Sequence, residues 1–175
     1  MFSMKVFLLG LPGSGKTTLG KELAKSLGIA FVDLDLEIEK SEGMAIKKIF
    51  EKMKEDYFRM LESAQLKKWS ASQKDFVMAT GGGTPCFFDN LQTINQAGKS
   101  FFLDVPAREI AVRIMREKLE DRPLFARTHP ESLKDHIEFM RSNRISFYRQ
   151  ANFIVSGTAI TSQEIAEKIR TEDLR

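Results

Sequence analysis

Gly10-Leu11-Pro12-Gly13-Ser14-Gly15-Lys16-Thr17 fits the pattern G-x-x-x-x-G-K-[ST] at every fixed position. The run before it, Met4-Lys5-Val6-Phe7-Leu8-Leu9, is apolar and suits a buried strand. The run after it, Thr18 to Leu27, sets Leu19, Leu23 and Leu27 on one helical face. The loop therefore lies between a strand and a helix, the context in which the pattern has meaning. Gly10, Gly13 and Gly15 let the backbone curl so that its N–H groups point at an anion. The helix that begins near Lys16 adds its positive end. Lys16 has the reach for the outer phosphates of a nucleotide, and the Thr17 hydroxyl suits Mg²⁺. The ATP-binding residues expected here are Gly13, Ser14, Gly15, Lys16, Thr17 and Thr18.

Outward from this loop, apolar strand-like runs at 4–9, 29–33, 76–79, 100–105 and 152–155 alternate with helical stretches. The helices are expected near 15–27, 34–41, 45–70, 88–97, 106–119, 131–150 and 161–171. Such alternation predicts an α/β fold, a parallel sheet covered on both faces. Two segments depart from it. Residues 34–70 form a helical excursion too long for one crossover, and 119–130, with two prolines and no period, reads as a mobile lid. A kinase needs both, one to hold the acceptor and one to close over the phosphates. The expectation is one domain spanning 1–175.

Composition narrows the function. The chain of 175 residues is 42% hydrophobic and 29% charged, with a net charge of +3 spread along its length. That suits an anionic small molecule better than nucleic acid, which usually requires a dense basic face. Cys86 is the single cysteine, so no internal disulfide forms, and with only two histidines a structural zinc site is excluded. No signal peptide or membrane-spanning stretch is visible, so a soluble, cytoplasmic protein is expected.

Further constellations lie at strand ends. Asp33 and Asp35 follow the second strand, two apart and on one side while the chain is extended. One would hold Mg²⁺ through water and the other accept a proton from an attacking hydroxyl; helix capping is the competing reading. Arg59 and Glu62, three apart, have the spacing of an ordinary surface salt bridge. Gly81-Gly82-Gly83 after the third strand permits close backbone approach to a ligand, where a plain turn rarely needs three glycines. Phe101-Phe102-Leu103-Asp104 competes with Asp33 for the metal role and is read instead as a strand end. Arg122 lies in the lid, where an arginine can swing onto a transferring phosphoryl group. Arg113 and Arg116 precede it on a helix, and either could stack on a base. Arg144 and Tyr148 stand at i and i+4. His129 and His136 read as surface residues, and Cys86 as structural.

In this combination and order the segments resemble the shikimate kinase family over essentially the whole chain. The residues concerned are Gly10–Thr17, Asp33-Leu34-Asp35, Phe58-Arg59-x-x-Glu62, Gly81-Gly82-Gly83, Arg122-Pro123-Leu124 and Arg144-x-x-x-Tyr148. The resemblance implies a three-layer α/β/α P-loop kinase fold with a five-stranded parallel sheet, like that of nucleoside monophosphate kinases. It implies transfer of the ATP γ-phosphoryl group to the 3-hydroxyl of shikimate, with Mg²⁺ as cofactor; a monomer is expected. Lys16 would hold the phosphates, Thr17 and, through water, Asp33 the metal, and Asp35 the acceptor hydroxyls as base. Arg59 and Arg144 would bind the acceptor carboxylate, with Gly81, Gly82 and Gly83 lining that pocket. Arg122 would touch phosphate and acceptor, and Arg113 is the best match for the arginine on adenine. Three departures stand out. Lys54-Glu55 replaces a frequent Gly-Glu, the spacing to Arg122 is slightly long, and Ser156-Gly157-Thr158 lacks a frequent acidic residue. The competing readings are a kinase for another carboxylate-bearing polyol such as gluconate, a nucleoside monophosphate kinase, and a binding module without turnover.

Overall fold

The computed structural model describes residues 3–121 and 130–173. Five parallel strands form one sheet in the order β2-β3-β1-β4-β5. They are β1 Lys5–Leu9, β2 Ala30–Asp33, β3 Phe76–Ala79, β4 Lys99–Asp104 and β5 Phe153–Ser156. Each lies within one residue of its sequence-based position. The helices are α1 Lys16–Leu27, α2 Leu34–Glu42, α3 Ile46–Ser70, α4 Asn90–Ala97, α5 Ala107–Asp121, α6 Pro130–Tyr148 and α7 Ser162–Asp173. A 3₁₀ turn at Thr84–Cys86 adds to the elements expected from sequence. Helix α5 runs on to Asp121, past the expected end at 119, and the remainder of the expected lid up to 129 lies outside the described residues. Arg122 and His129 lie outside the described residues.

The central strand is the one that feeds the glycine-rich loop. Every residue of β1 is buried, as a strand covered on both faces demands. Its period-two alternation divides the core between the two layers of helices. Phe7 and Leu9, with Phe76, Met78 and Phe102, pack toward Leu34, Ile38, Phe58, Leu66, Ile94 and Tyr148. Val6 and Leu8, with Val77, Phe101 and Leu103, pack toward Leu19, Leu23, Ile165 and Ile169. Each of these side chains contributes about 1.5–3 kcal/mol by leaving water. Because β3 is inserted between β1 and β2, the chain crosses the sheet in both directions from β1. The crevice at the carboxyl ends of β1 and β3 is the place where open α/β sheets take ligands.

The excursion is two helices. Asp33 caps α2, its Oδ1 accepting from the N–H groups of Asp35 at 3.1 Å and Leu36 at 3.5 Å. Helix α3 is broken at Lys54, which stands at φ 66°, ψ 175°. From Glu55 onward α3 turns Phe58, Glu62 and Leu66 inward.

Candidate active site

The loop after β1 has the curled backbone that its glycines predicted. Gly10, Gly13 and Gly15 adopt φ of 143°, 79° and 96°, which side chains rarely tolerate. The Ser14 N–H closes a turn onto the Leu11 carbonyl at 3.1 Å. Lys16 is buried in the loop, and its Nζ donates to the carbonyls of Gly10 and Leu11, both at 2.9 Å. Burial pushes its pKa down from 10.5 to about 8, against the attraction of Asp35 and Asp33. Lys16 therefore remains charged at neutral pH, yet is weakly solvated and ready to meet an anion.

A cleft of about 610 Å³ opens over this loop. Its walls include Gly13, Lys16, Thr17, Asp33, Asp35, Gly81, Gly82 and Arg113. The six besides Gly81 and Gly82 come from three other chain segments, the phosphate loop, the end of β2 and helix α5, which only the fold brings together. Thr17 Oγ1 donates to Asp33 Oδ2 at 3.2 Å. Asp33 Oδ1 thus caps α2, as the competing reading had it, while Oδ2 faces the Thr17 hydroxyl. Asp104 is elsewhere, paired with Arg141 at 2.8 Å, as its reading as a strand-end residue requires.

Asp35 stands beside Lys16 with its Oδ1 buried and without a hydrogen-bond partner. Burial first, with the neighbouring Asp33 and Glu62, raises its pKa from 3.8 to about 6 against the opposing charge of Lys16. A carboxyl held there is a better proton acceptor than an exposed aspartate and is still ionised at pH 7.

Arg59 and Glu62 do pair, Nη1 to Oε2 at 2.8 Å, but the pair is not the surface contact their spacing favoured. Glu62 is fully buried. Its second oxygen accepts from the Thr84 hydroxyl of the 3₁₀ turn. Arg59 also donates Nε and Nη2 to Glu55 at 3.1 and 2.9 Å. The Phe87 ring lies under its guanidinium, 4.3 Å from the ring centre, and Phe58 lies at 5.1 Å. Burial works against the Arg59 charge, and the carboxylates of Glu62 and Glu55 outweigh it and raise the pKa. The result is a cation locked in one orientation.

The three glycines have a physical reason different from turn flexibility. None of them has positive φ. Each is a point of close approach instead. A Cβ on Gly81 would sit 2.4 Å from Glu62 Oε1, on Gly82 2.7 Å from Pro12 Cδ, and on Gly83 2.6 Å from Arg59 Nη1. Arg144 lies on α6, near enough to Lys16, Cys86 and Tyr148 to shift their ionisation. Cys86 is a half-buried free thiol whose pKa burial raises and Arg144 and Arg59 lower.

On α5, Arg113 reaches the glycine-rich loop and Arg116 is exposed. Arg113 Nη1 donates to the Ser14 carbonyl at 3.3 Å, Nη2 to that of Thr158 at 2.5 Å, and Nε to Glu109 at 2.9 Å. Thr18 lines the cleft with Thr17. His136 is exposed, as expected. Sequence reasoning missed the structural weight of Glu62, Thr84, Phe87 and Tyr148. The one available signal was an acidic residue, Glu62, recurring among the inward positions of an amphipathic helix.

The residues present suit a hard cation. Thr17 and Asp33 offer only oxygen donors, and no group of three or more His, Cys, Asp or Glu side chains able to hold a metal occurs among the described residues. That is the pattern of Mg²⁺, which is held by one or two protein oxygens with phosphates and water.

Comparison with known proteins agrees with this geometry. The family model described as shikimate kinase matches residues 12–173. A shikimate kinase of Bacteroides fragilis is 40% identical over 151 residues, covering 86% of this chain and 83% of that protein. The crystal structure of the shikimate kinase from Bacteroides thetaiotaomicron superposes with a TM-score of 0.86 at 32% identity, covering 95% of this chain and 98% of the other. A shikimate kinase from Acinetobacter baumannii, solved in complex with shikimate, gives 0.81 at 32% identity over 98% of this chain and 93% of its own.

Proposed function

The chain belongs to the shikimate kinase family, and from that premise we propose how its own residues move the γ-phosphoryl group of ATP to the 3-hydroxyl of shikimate. Membership makes it an ATP-dependent kinase of aromatic amino acid biosynthesis and sets aside the gluconate and nucleoside monophosphate readings. The observation that carries the residue-level proposal is the unpartnered Asp35 oxygen, buried beside Lys16 in the cleft.

The amides of Gly13 to Thr18 and the Lys16 ammonium take the β- and γ-phosphates, and Lys16 exchanges its two carbonyl partners for phosphate oxygens. Arg113, anchored between Ser14 and Thr158, lies along the nucleotide. Arg59 and Arg144 receive the acceptor carboxylate, which matches planar cations, and Gly81 to Gly83 form the wall beside it. Asp35 accepts a hydrogen bond from the acceptor hydroxyl and takes its proton as the oxygen attacks phosphorus. One O–P bond forms, the bond to the ADP oxygen breaks, and the proton stays on Asp35 until product leaves. Thr17 and Asp33 would hold Mg²⁺, which when bound neutralises phosphate charge. Arg122, from its place in the chain, is assigned to the transferring phosphoryl group.

We read residues 1–175 as one domain that works as a cytoplasmic monomer and binds no nucleic acid. Among the described residues no helix is long and apolar enough to cross a membrane. The test is ADP release by the purified protein with ATP and Mg²⁺, with shikimate, with gluconate and with neither. Release that depends on shikimate supports the proposal. Equal release in all three would reject it.

A further inference from the structure

Tyr148 is wholly buried, and its ring stacks on Phe102 with centroids 4.9 Å apart. Packing accounts for the ring but not for the hydroxyl, since phenylalanine would fill the same space. The phenol donates to the main-chain carbonyl of Gly82, 66 residues away in sequence. A trans peptide carries its C=O and N–H on opposite sides. Holding the Gly82 carbonyl toward Tyr148 therefore turns the Gly83 N–H the other way. That N–H makes no hydrogen bond among the described residues. Tyr148 also stands one helical turn from Arg144, whose charge acts on the same phenol. The phenol thus ties a peptide with an unspent donor to the helix that carries a cation of the acceptor site.

We propose that Tyr148 is a positioning residue for the acceptor: its hydroxyl orients the Gly82–Gly83 peptide, and fixes that peptide to the helix that carries Arg144, so that the Gly83 N–H and Arg144 present donors to the substrate carboxylate. This rests on the assignment of Arg144 and the glycine wall to the acceptor. The phenol remains protonated throughout the working range, because burial raises its pKa. It therefore donates to Gly82 at every pH where the enzyme turns over. Its hydroxyl bonds the acceptor wall and not the phosphate loop, so its loss is felt chiefly on the acceptor.

The experiment is steady-state kinetics of Tyr148→Phe, with both substrates varied, and thermal melts alongside. The expected result is a shikimate KM raised about tenfold, the effect of losing one buried hydrogen bond, with the KM for ATP and kcat little changed. Phe102→Leu serves as the packing control: it removes the stacked ring, lowers Tm and leaves the shikimate KM in place. An unchanged shikimate KM in Tyr148→Phe would overturn the proposal. So would a parallel rise in both KM values, or a rise in Phe102→Leu as large as in Tyr148→Phe. If the parent chain fails to phosphorylate shikimate, it is the acceptor assignment that falls. If the parent turns over and Tyr148→Phe matches it, only the role of Tyr148 falls.

Discussion

Lys54 interrupts α3 at φ 66°, ψ 175°, a region that belongs almost wholly to glycine. It is also where the chain carries Lys54-Glu55 in place of the Gly-Glu frequent in its family. A non-glycine residue in such a conformation costs about 1–3 kcal/mol. Glycine there escapes the Cβ clash but loses about 0.5–1 kcal/mol more backbone entropy on folding. Lys54→Gly should therefore stabilise the protein by about 1 kcal/mol, which for a chain of this size raises Tm by about 2–4 °C. The Lys54 side chain is exposed and makes no ion pair among the described residues, so little is lost with it. Lys54→Ala is the control, because it removes the charge and keeps the strain. The assay is urea denaturation of all three proteins, comparing midpoints at constant m. The reasoning predicts Gly above Ala. In a regular helix interior glycine is about 1 kcal/mol worse than alanine. Finding that ordinary order would refute the strained break at Lys54.

Other substitutions probe the site. Asp35→Asn should abolish most turnover while ATP still binds, and it should also stabilise the fold at neutral pH. The sign follows from the raised pKa. A carboxyl at 3.8 when unfolded and about 6 when folded favours the folded state below pH 4 and loses that contribution as pH rises through 6. At pH 7 its ionisation costs up to about 3 kcal/mol, so the Tm gain of Asp35→Asn should shrink toward acid pH; a gain independent of pH would argue against a perturbed Asp35. The same pKa predicts that kcat of the parent falls below about pH 6, to be read from a pH–rate profile. Gly83→Ala puts a methyl 2.6 Å from Arg59 Nη1, and should raise the shikimate KM with the ATP KM unchanged in the same kinetic assay. Lys16→Ala should abolish phosphoryl transfer, because catalysis here is positioning and charge neutralisation, and isothermal titration should show weakened nucleotide binding.

What could be read locally was read from the chain alone. The phosphate loop is legible because its glycines impose a backbone conformation on a few adjacent residues. The strands and helices are legible because burial on both faces makes β1 continuously apolar, whereas helices repeat with their own period. Asp33 and Asp35 announced themselves by standing at a strand end next to that loop. Lys54 gave no sign of the break it occupies, since its residue type favours continuing the helix. Glu62 looked like half of a surface pair, because spacing reports which residues share a helical face and not what covers that face.

The residue types, the phosphate loop and the alternation of elements were thus determined by sequence, through conformational limits and periodicities that act over a few residues. The tertiary structure decided which distant segments meet. Inserting β3 between β1 and β2 carries Gly81–Gly83 against Pro12, Glu62 and Arg59, so the glycines are required by contact and not by φ. The same assembly buries Glu62, brings Tyr148 to Gly82, and directs Arg113, not Arg116, to the phosphate loop. Those choices depend on packing between elements, and packing acts through space on residues that the chain keeps far apart.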